Sequence, residues 1–99
     1  MTKPNLIYIL ADDMGYGDIS ALNENCGFRT PNLDEMAENG ICFTDAHATA
    51  AVCTPSRYGI LTGRYNWRSR LKSSVMGGYS EPLIERGRKT LADMLKDNG

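Results

Sequence analysis

Pro4-Asn5-Leu6-Ile7-Tyr8-Ile9-Leu10-Ala11-Asp12-Asp13 sets the expected architecture. Leu6 to Ala11 is a short apolar run, partly β-branched, with a proline ahead of it. A run of this length and composition reads as a buried strand over Asn5 to Leu10. It stops at two aspartates and passes into a glycine-rich turn, Met14-Gly15-Tyr16-Gly17-Asp18. A buried strand that delivers polar residues at its carboxyl end is how open α/β sheets build ligand sites.

Working outward from that stretch, Thr30-Pro31 opens a helix: Thr30 can cap it, and proline suits the first helical position. Leu33, Met36 and Ala37 make one apolar face, and Asn39-Gly40 ends the helix. Ile41 to Ala46 alternates apolar and polar and reads as a second strand. A second helix is expected from Thr54-Pro55, through Ile60 and Leu61, to a stop at Gly63. Arg64 to Arg88 is irregular, broken by Gly77-Gly78 and Pro82. Thr90, with Asp93 completing a variant capping box, starts a last helix whose apolar face is Leu91, Met94 and Leu95.

The order strand, helix, strand, helix, helix indicates an α/β fold with a central, mostly parallel sheet. Such a sheet needs both faces covered, and 99 residues supply few elements to do so. The expectation is therefore a single, incomplete domain over residues 1–99.

Composition excludes several classes. With 41% hydrophobic and 23% charged residues the chain is expected to fold rather than stay disordered. A net charge of −1 provides no field for nucleic acid or an anionic membrane surface. No apolar run is long enough to cross a bilayer, and no signal peptide is visible. The three cysteines, Cys26, Cys42 and Cys53, lack metal-type spacing. Cys26 and Cys42 read as small apolar filler.

Asp12-Asp13 forms the first chemical constellation. Adjacent carboxylates repel each other unless water screens them or a cation lies between them, and a hard cation such as calcium or magnesium takes oxygen ligands. A solvated acidic turn and a metal site both remain open on these residues alone. The second constellation is Cys53-Thr54-Pro55-Ser56-Arg57. A cysteine at a helix start meets unpaired N–H groups and the positive end of the dipole, which favour a thiolate. Arg57, four residues on, shares its side of the helix and offers a planar fork to a tetrahedral oxyanion. A nucleophile and an ordinary cysteine beside a helix cap are equally compatible with this pattern.

The stretch Cys53 to Arg64, Cys-Thr-Pro-Ser-Arg-Tyr-Gly-Ile-Leu-Thr-Gly-Arg, resembles the sulfatase signature C-x-P-S-R with its leucine-threonine-glycine-arginine tail. Pro4 to Asp13, Gly15-Tyr16-Gly17-Asp18 and Thr30-Pro31-Asn32-Leu33-Asp34 resemble, in the same order, the family's opening strand and metal pair, its following turn and its first helix start. The resemblance covers nearly the whole chain. It implies the N-terminal part of an alkaline-phosphatase-like fold with a central mixed, mostly parallel sheet flanked by helices.

It also implies chemistry. Cys53 would be oxidised to formylglycine by a maturation enzyme that reads Pro55 and Ser56. The hydrated aldehyde would attack the sulfur of a sulfate ester, displace the alcohol, and release sulfate as the aldehyde re-forms. A serine sulfate, lacking the second hydroxyl, could not re-form an aldehyde. Asp12 and Asp13 match the first two metal ligands, with the Cys53-derived oxygen as a further one; the ion is usually calcium, with magnesium an alternative. Arg57 matches the arginine that holds the hydrate, and Arg64 is expected to anchor a loop. His47 does not match the family's catalytic histidines, which come from later segments. Those histidines, a lysine and a second metal pair have no counterpart before Gly99, so the isolated chain is expected to be inactive. Aryl sulfates and sulfated carbohydrates are the implied substrates. Related readings are a phosphonate or phosphodiester hydrolase of the same superfamily and a truncated non-catalytic product. The basic stretch Arg64 to Lys72 is compatible with nucleic acid, with a rim over an anionic substrate, or with a solvated loop. Family members are often exported, but nothing in these residues fixes a compartment.

Overall fold

A computed structural model describes residues 3–99. The chain divides into two compact units, one of Leu6–Ala46 and one of His47–Gly99 together with residues 3–5.

In the Leu6–Ala46 unit a 3-10 turn spans Tyr16–Asp18 and helix α1 spans Pro31–Asn39. Proline occupies the first position of α1, and the helix ends at Gly40, as expected from the sequence. Thr30 does not cap it. Its hydroxyl is taken instead by Ser20 and Asp34.

The two expected strands, Asn5 to Leu10 and Ile41 to Ala46, are not formed; no strand is present among the described residues. The reason is hydrogen bonding. An apolar run becomes a strand only when a neighbouring strand takes its N–H and C=O groups, and no described segment does so. Relative exposure along Leu6, Ile7, Tyr8, Ile9 and Leu10 alternates as 60, 82, 59, 79 and 43%. That period of two belongs to an extended chain, yet both faces stand open. Ile41 and Phe43 are likewise exposed. The apolar character that predicts burial is present, but its covering layers are not supplied by the described residues.

In the other unit α2 spans Cys53–Thr62 and α3 spans Leu91–Asp97, with a 3-10 turn at Asn66–Arg68 between them. The 3-10 turn lies inside the stretch expected to be irregular. Helix α2 packs against α3 and against this turn. Pro55, Tyr58 and Gly59 form the buried side of α2, and Leu71 is the other buried large apolar residue among the described residues. Gly63 ends α2 in the left-handed region at φ 65°, its N–H donating to Gly59 O at 2.8 Å. A left-handed terminal residue of this kind is where glycine avoids a Cβ penalty. Thr90 caps α3 as expected, with Asp93 closing the capping box. No described helix is long and apolar enough to cross a membrane.

Candidate functional site

Asp12 and Asp13 belong to the Leu6–Ala46 unit, and Cys53 and Arg57 to the other. Each group is built by its own local structure.

Asp12 and Asp13 are both exposed. Asp13 sits at φ 55°, in the left-handed region. Aspartate tolerates this region better than most residues, but at a conformational cost that the surroundings must hold in place. The arc that follows is pinned by side chains. Gly15 N–H donates to Asp18 Oδ2 at 2.7 Å, and Asn23 Nδ2 donates to Gly17 O at 2.9 Å. A cleft of about 340 Å³ beside this arc is lined by Ala11, Met14, Tyr16, Ile19, Leu22 and Phe43, among others.

The donor chemistry of Asp12 and Asp13 fits a hard divalent cation, which prefers carboxylate oxygen. Among the described residues, however, no group of three or more His, Cys, Asp or Glu side chains gathers to hold one. The pair fits calcium or magnesium in kind and falls short in number.

The arc is also fastened to α1. Ser20 N–H donates to Thr30 Oγ1 and Thr30 N–H donates to Ser20 Oγ, both at 2.9 Å. The two hydroxyl protons then go to the two oxygens of Asp34: Ser20 Oγ to Oδ2 at 2.5 Å, and Thr30 Oγ1 to Oδ1 at 2.9 Å. Ala21 N–H completes the set at 2.8 Å. The Ser20 hydroxyl, with help from Thr30 and Ala21, holds the Asp34 carboxyl below the usual aspartate range. The sequence reading missed this cluster. Its local signal is the Thr30/Asp34 spacing of one helical turn, but Ser20 joins only through folding.

Cys53 is the first residue of α2, two positions before Pro55, the residue expected to open the helix behind a Thr54 cap. Val52 holds the cap position, with φ −138° and ψ 162°, and makes no side-chain cap bond. The first helical bond runs from Ser56 N–H to Val52 O at 3.2 Å. Pro55 therefore falls inside the first turn, where a missing N–H costs nothing. Thr54 is not a cap: its hydroxyl accepts Met76 N–H at 3.3 Å and ties the 70s loop to the helix start. Ser56 Oγ donates to Ala50 O at 2.7 Å, fixing the approach to Cys53.

Cys53 and Arg57 are both exposed and are one helical turn apart on the same side. Arg57 also lines a cleft of about 350 Å³ with Thr54, Tyr58, Leu61 and Pro82 to Ile84. Tyr58 is 3% exposed, and its hydroxyl has no hydrogen-bond partner among the described residues. Cys26, Cys42 and Cys53 are all free thiols. Cys26 is half-buried, whereas Cys42 is exposed and is not the apolar filler expected, because the segment around it lacks a covering layer. His47 is exposed.

Arg64 anchors a loop, as expected, by donating from Nη2 to Arg68 O at 3.2 Å. The basic stretch is knitted onto itself: Lys72 Nζ donates to Trp67 O at 2.8 Å, and Asn66 Nδ2 to Leu71 O at 2.9 Å. Tyr65 and Trp67 stack with centroids 5.4 Å apart, and Arg68 lies over the Trp67 ring at 5.7 Å.

Comparison with known proteins gives the family of the chain. The sequence model of the Sulfatase family matches residues 4–99. The chain is 47% identical over 97 residues to N-acetylgalactosamine-6-O-sulfatase of Bacteroides thetaiotaomicron, covering 98% of the chain and 19% of that protein. It is 45% identical over 101 residues to human arylsulfatase G, covering 98% of the chain and 18% of the relative. Bovine arylsulfatase A is 40% identical over 98 residues, covering 99% and 19%. A solved structure described under the metabolism of multiple glycosaminoglycans by Bacteroides thetaiotaomicron superposes with a TM-score of 0.87 at 47% identity, over 98% of this chain and 20% of that one. The chain thus spans about a fifth of the length of the relatives it matches. This likeness supports the alkaline-phosphatase-like fold, although the described residues form no sheet. The chain belongs to the Sulfatase family.

Proposed function

We propose that residues 1–99 are the N-terminal portion of a sulfuric ester hydrolase. It cleaves aryl sulfates or sulfated carbohydrates through a formylglycine hydrate derived from Cys53. The observation that carries this reading is the match to sulfatases over 98% of the chain together with an exposed Cys53 at the first position of α2. A nucleophile at that position meets the helix dipole and backbone N–H groups that favour negative charge. Arg57, one turn on, binds the ester oxyanion and orients the hydrate.

Asp12 and Asp13 would hold the hard divalent cation, calcium before magnesium. Bound there, the ion would make the attacking hydroxyl more acidic and offset charge on the sulfate. The remaining ligands, the general acid and the rest of the central sheet would come from polypeptide outside these 99 residues. The isolated chain is therefore without turnover. The formylglycine-generating maturation enzyme is the implied partner, acting on Cys53 in the context of Pro55 and Ser56.

The test is the mass of the tryptic peptide Thr30 to Arg57, from protein isolated from its own source. This peptide contains Cys53 and no internal Lys or Arg. Fragment ions that place an aldehyde in the position of the Cys53 thiol are the expected result. An unmodified Cys53, in a cell that matures other sulfatases, overturns the formylglycine reading.

A further inference from the structure

The hydrogen bonds among Ser20, Thr30 and Asp34 do more than end a loop. They form a closed set: both hydroxyls donate to the carboxylate and each accepts the other residue's backbone N–H. Ala21 N–H fills a further Asp34 lone pair. No donor in the set is left over, which is the condition under which a polar network specifies one geometry. What the set holds is the far end, at Ser20 and Ala21, of the arc that begins at Asp13. Asp13 sits at φ 55°, in the left-handed region, which costs aspartate less than most residues but which its surroundings still help to hold. Downstream of it the arc is pinned at Gly15 by Asp18, at Gly17 by Asn23, and at Ser20 and Ala21 by Asp34. Helix α1, to which Asp34 belongs, is the only regular helix of this unit among the described residues. It is therefore the rigid body against which the arc is set.

We propose that Asp34, through Ser20 and Thr30, is a positioning residue for the Asp12-Asp13 pair, holding the arc so that the two carboxylates present oxygens to a divalent cation. The inference rests on the metal reading of Asp12 and Asp13 given above. Asp34 does not touch the ion. Its work is to hold the ligand-bearing turn before the ion arrives, so that binding does not also have to order the arc. Loss of outer-shell support of this kind commonly lowers metal affinity by about 10- to 100-fold.

The experiment is calcium binding by isothermal titration calorimetry on the full-length protein, well below its thermal midpoint, so that turnover is not the readout. The variants are Asp34→Asn, Thr30→Val, Thr30→Ser and Asp13→Asn. Asp34→Asn replaces an acceptor oxygen with a donor. Thr30→Val keeps the shape and removes the hydroxyl, and Thr30→Ser restores the hydroxyl. We expect Asp34→Asn and Thr30→Val to raise the calcium Kd about tenfold, Thr30→Ser to stay near the parent, and Asp13→Asn to bind weakest. A merely structural cluster would lower the thermal midpoint of the calcium-free protein and leave the Kd unchanged. If Asp13→Asn weakens binding while Asp34→Asn and Thr30→Val match the parent, the positioning role is overturned and the metal reading stands. If Asp13→Asn binds calcium like the parent, or the parent binds none, the metal reading falls and this inference falls with it.

Discussion

Gly59 and Thr49 are in such close approach that a Cβ built on Gly59 would lie 2.2 Å from Thr49 Oγ1 and 2.9 Å from its Cγ2. Helix α2 thereby rests directly on the segment leading into Cys53, reinforced by the Ser56 to Ala50 hydrogen bond. Alanine is the better helix former by about 1 kcal/mol, so a glycine within α2 is explained by this contact rather than by helix preference. Gly59→Ala is expected to destabilise the full-length protein by about 1–3 kcal/mol through overpacking. Thr49→Ala in the same chain should recover part of the loss, because Thr49 is short and β-branched and cannot swing aside. Thermal unfolding of the single and double variants measures this coupling. Additive effects would show that the two residues do not press on each other.

How far the sequence could be read depended on where each signal resides. The starts of α1 and α3 and the stop of α2 at Gly63 are local: a proline at the first position, a Thr90/Asp93 box, a left-handed glycine. They read correctly. The strands did not, because strand formation requires partners for Asn5–Leu10 and Ile41–Ala46 that the described residues do not supply. The start of α2 lies two residues earlier than expected because proline is tolerated throughout a first turn, so Pro55 does not fix the boundary. Thr30 reads as a cap from sequence, but folding brings Ser20 and Asp34 to its hydroxyl and they take it. The family motifs were legible because they are contiguous. The brace at Ser20, Thr30 and Asp34 was not, because it closes across separated segments.

Asp34 gives a pH dependence with a definite sign. The Ser20 hydroxyl bond, aided by Thr30, Ala21 and the charge of Arg29, lowers its pKa below the ordinary 3.8. A carboxyl depressed in the folded state contributes stability that is fully present above its unfolded value. That contribution is lost as pH falls through the lower folded value. Thermal midpoints measured from neutral pH down to about pH 3 should therefore fall less steeply at the acid end in Asp34→Asn than in the parent, once its lower starting stability is allowed for. An identical acid limb in the two proteins would show that Asp34 carries no linkage.

The cap of α3 can be tested without any catalytic readout. Asp93 Oδ2 accepts both Thr90 N–H at 2.8 Å and Thr90 Oγ1–H at 2.7 Å, while Asp93 N–H donates to Thr90 Oγ1 at 3.3 Å. Thr90→Ala removes the hydroxyl and is expected to cost about 1 kcal/mol, read as faster amide hydrogen exchange across Leu91–Asp97. Thr90→Ser should exchange like the parent. Exchange in Thr90→Ala equal to the parent would mean that packing against α2, not the cap, fixes the helix start.

Arg57 separates charge from geometry at the proposed nucleophile. It is exposed on the same side of α2 as Cys53, one turn further on. A lysine there keeps the positive charge but loses the planar fork that can bond two oxygens of a tetrahedral ester at once. If Arg57 both binds the ester and orients the hydrate, Arg57→Lys in the matured full-length protein should lower kcat/KM for an aryl sulfate by about 100-fold, the scale for losing a transition-state donor. Part of that loss should appear in kcat, since an interaction gained only in the transition state lowers kcat when removed. A rise in KM with kcat untouched would mean that Arg57 binds ground state and transition state equally. Equal activity in Arg57→Lys and the parent would remove it from the site altogether.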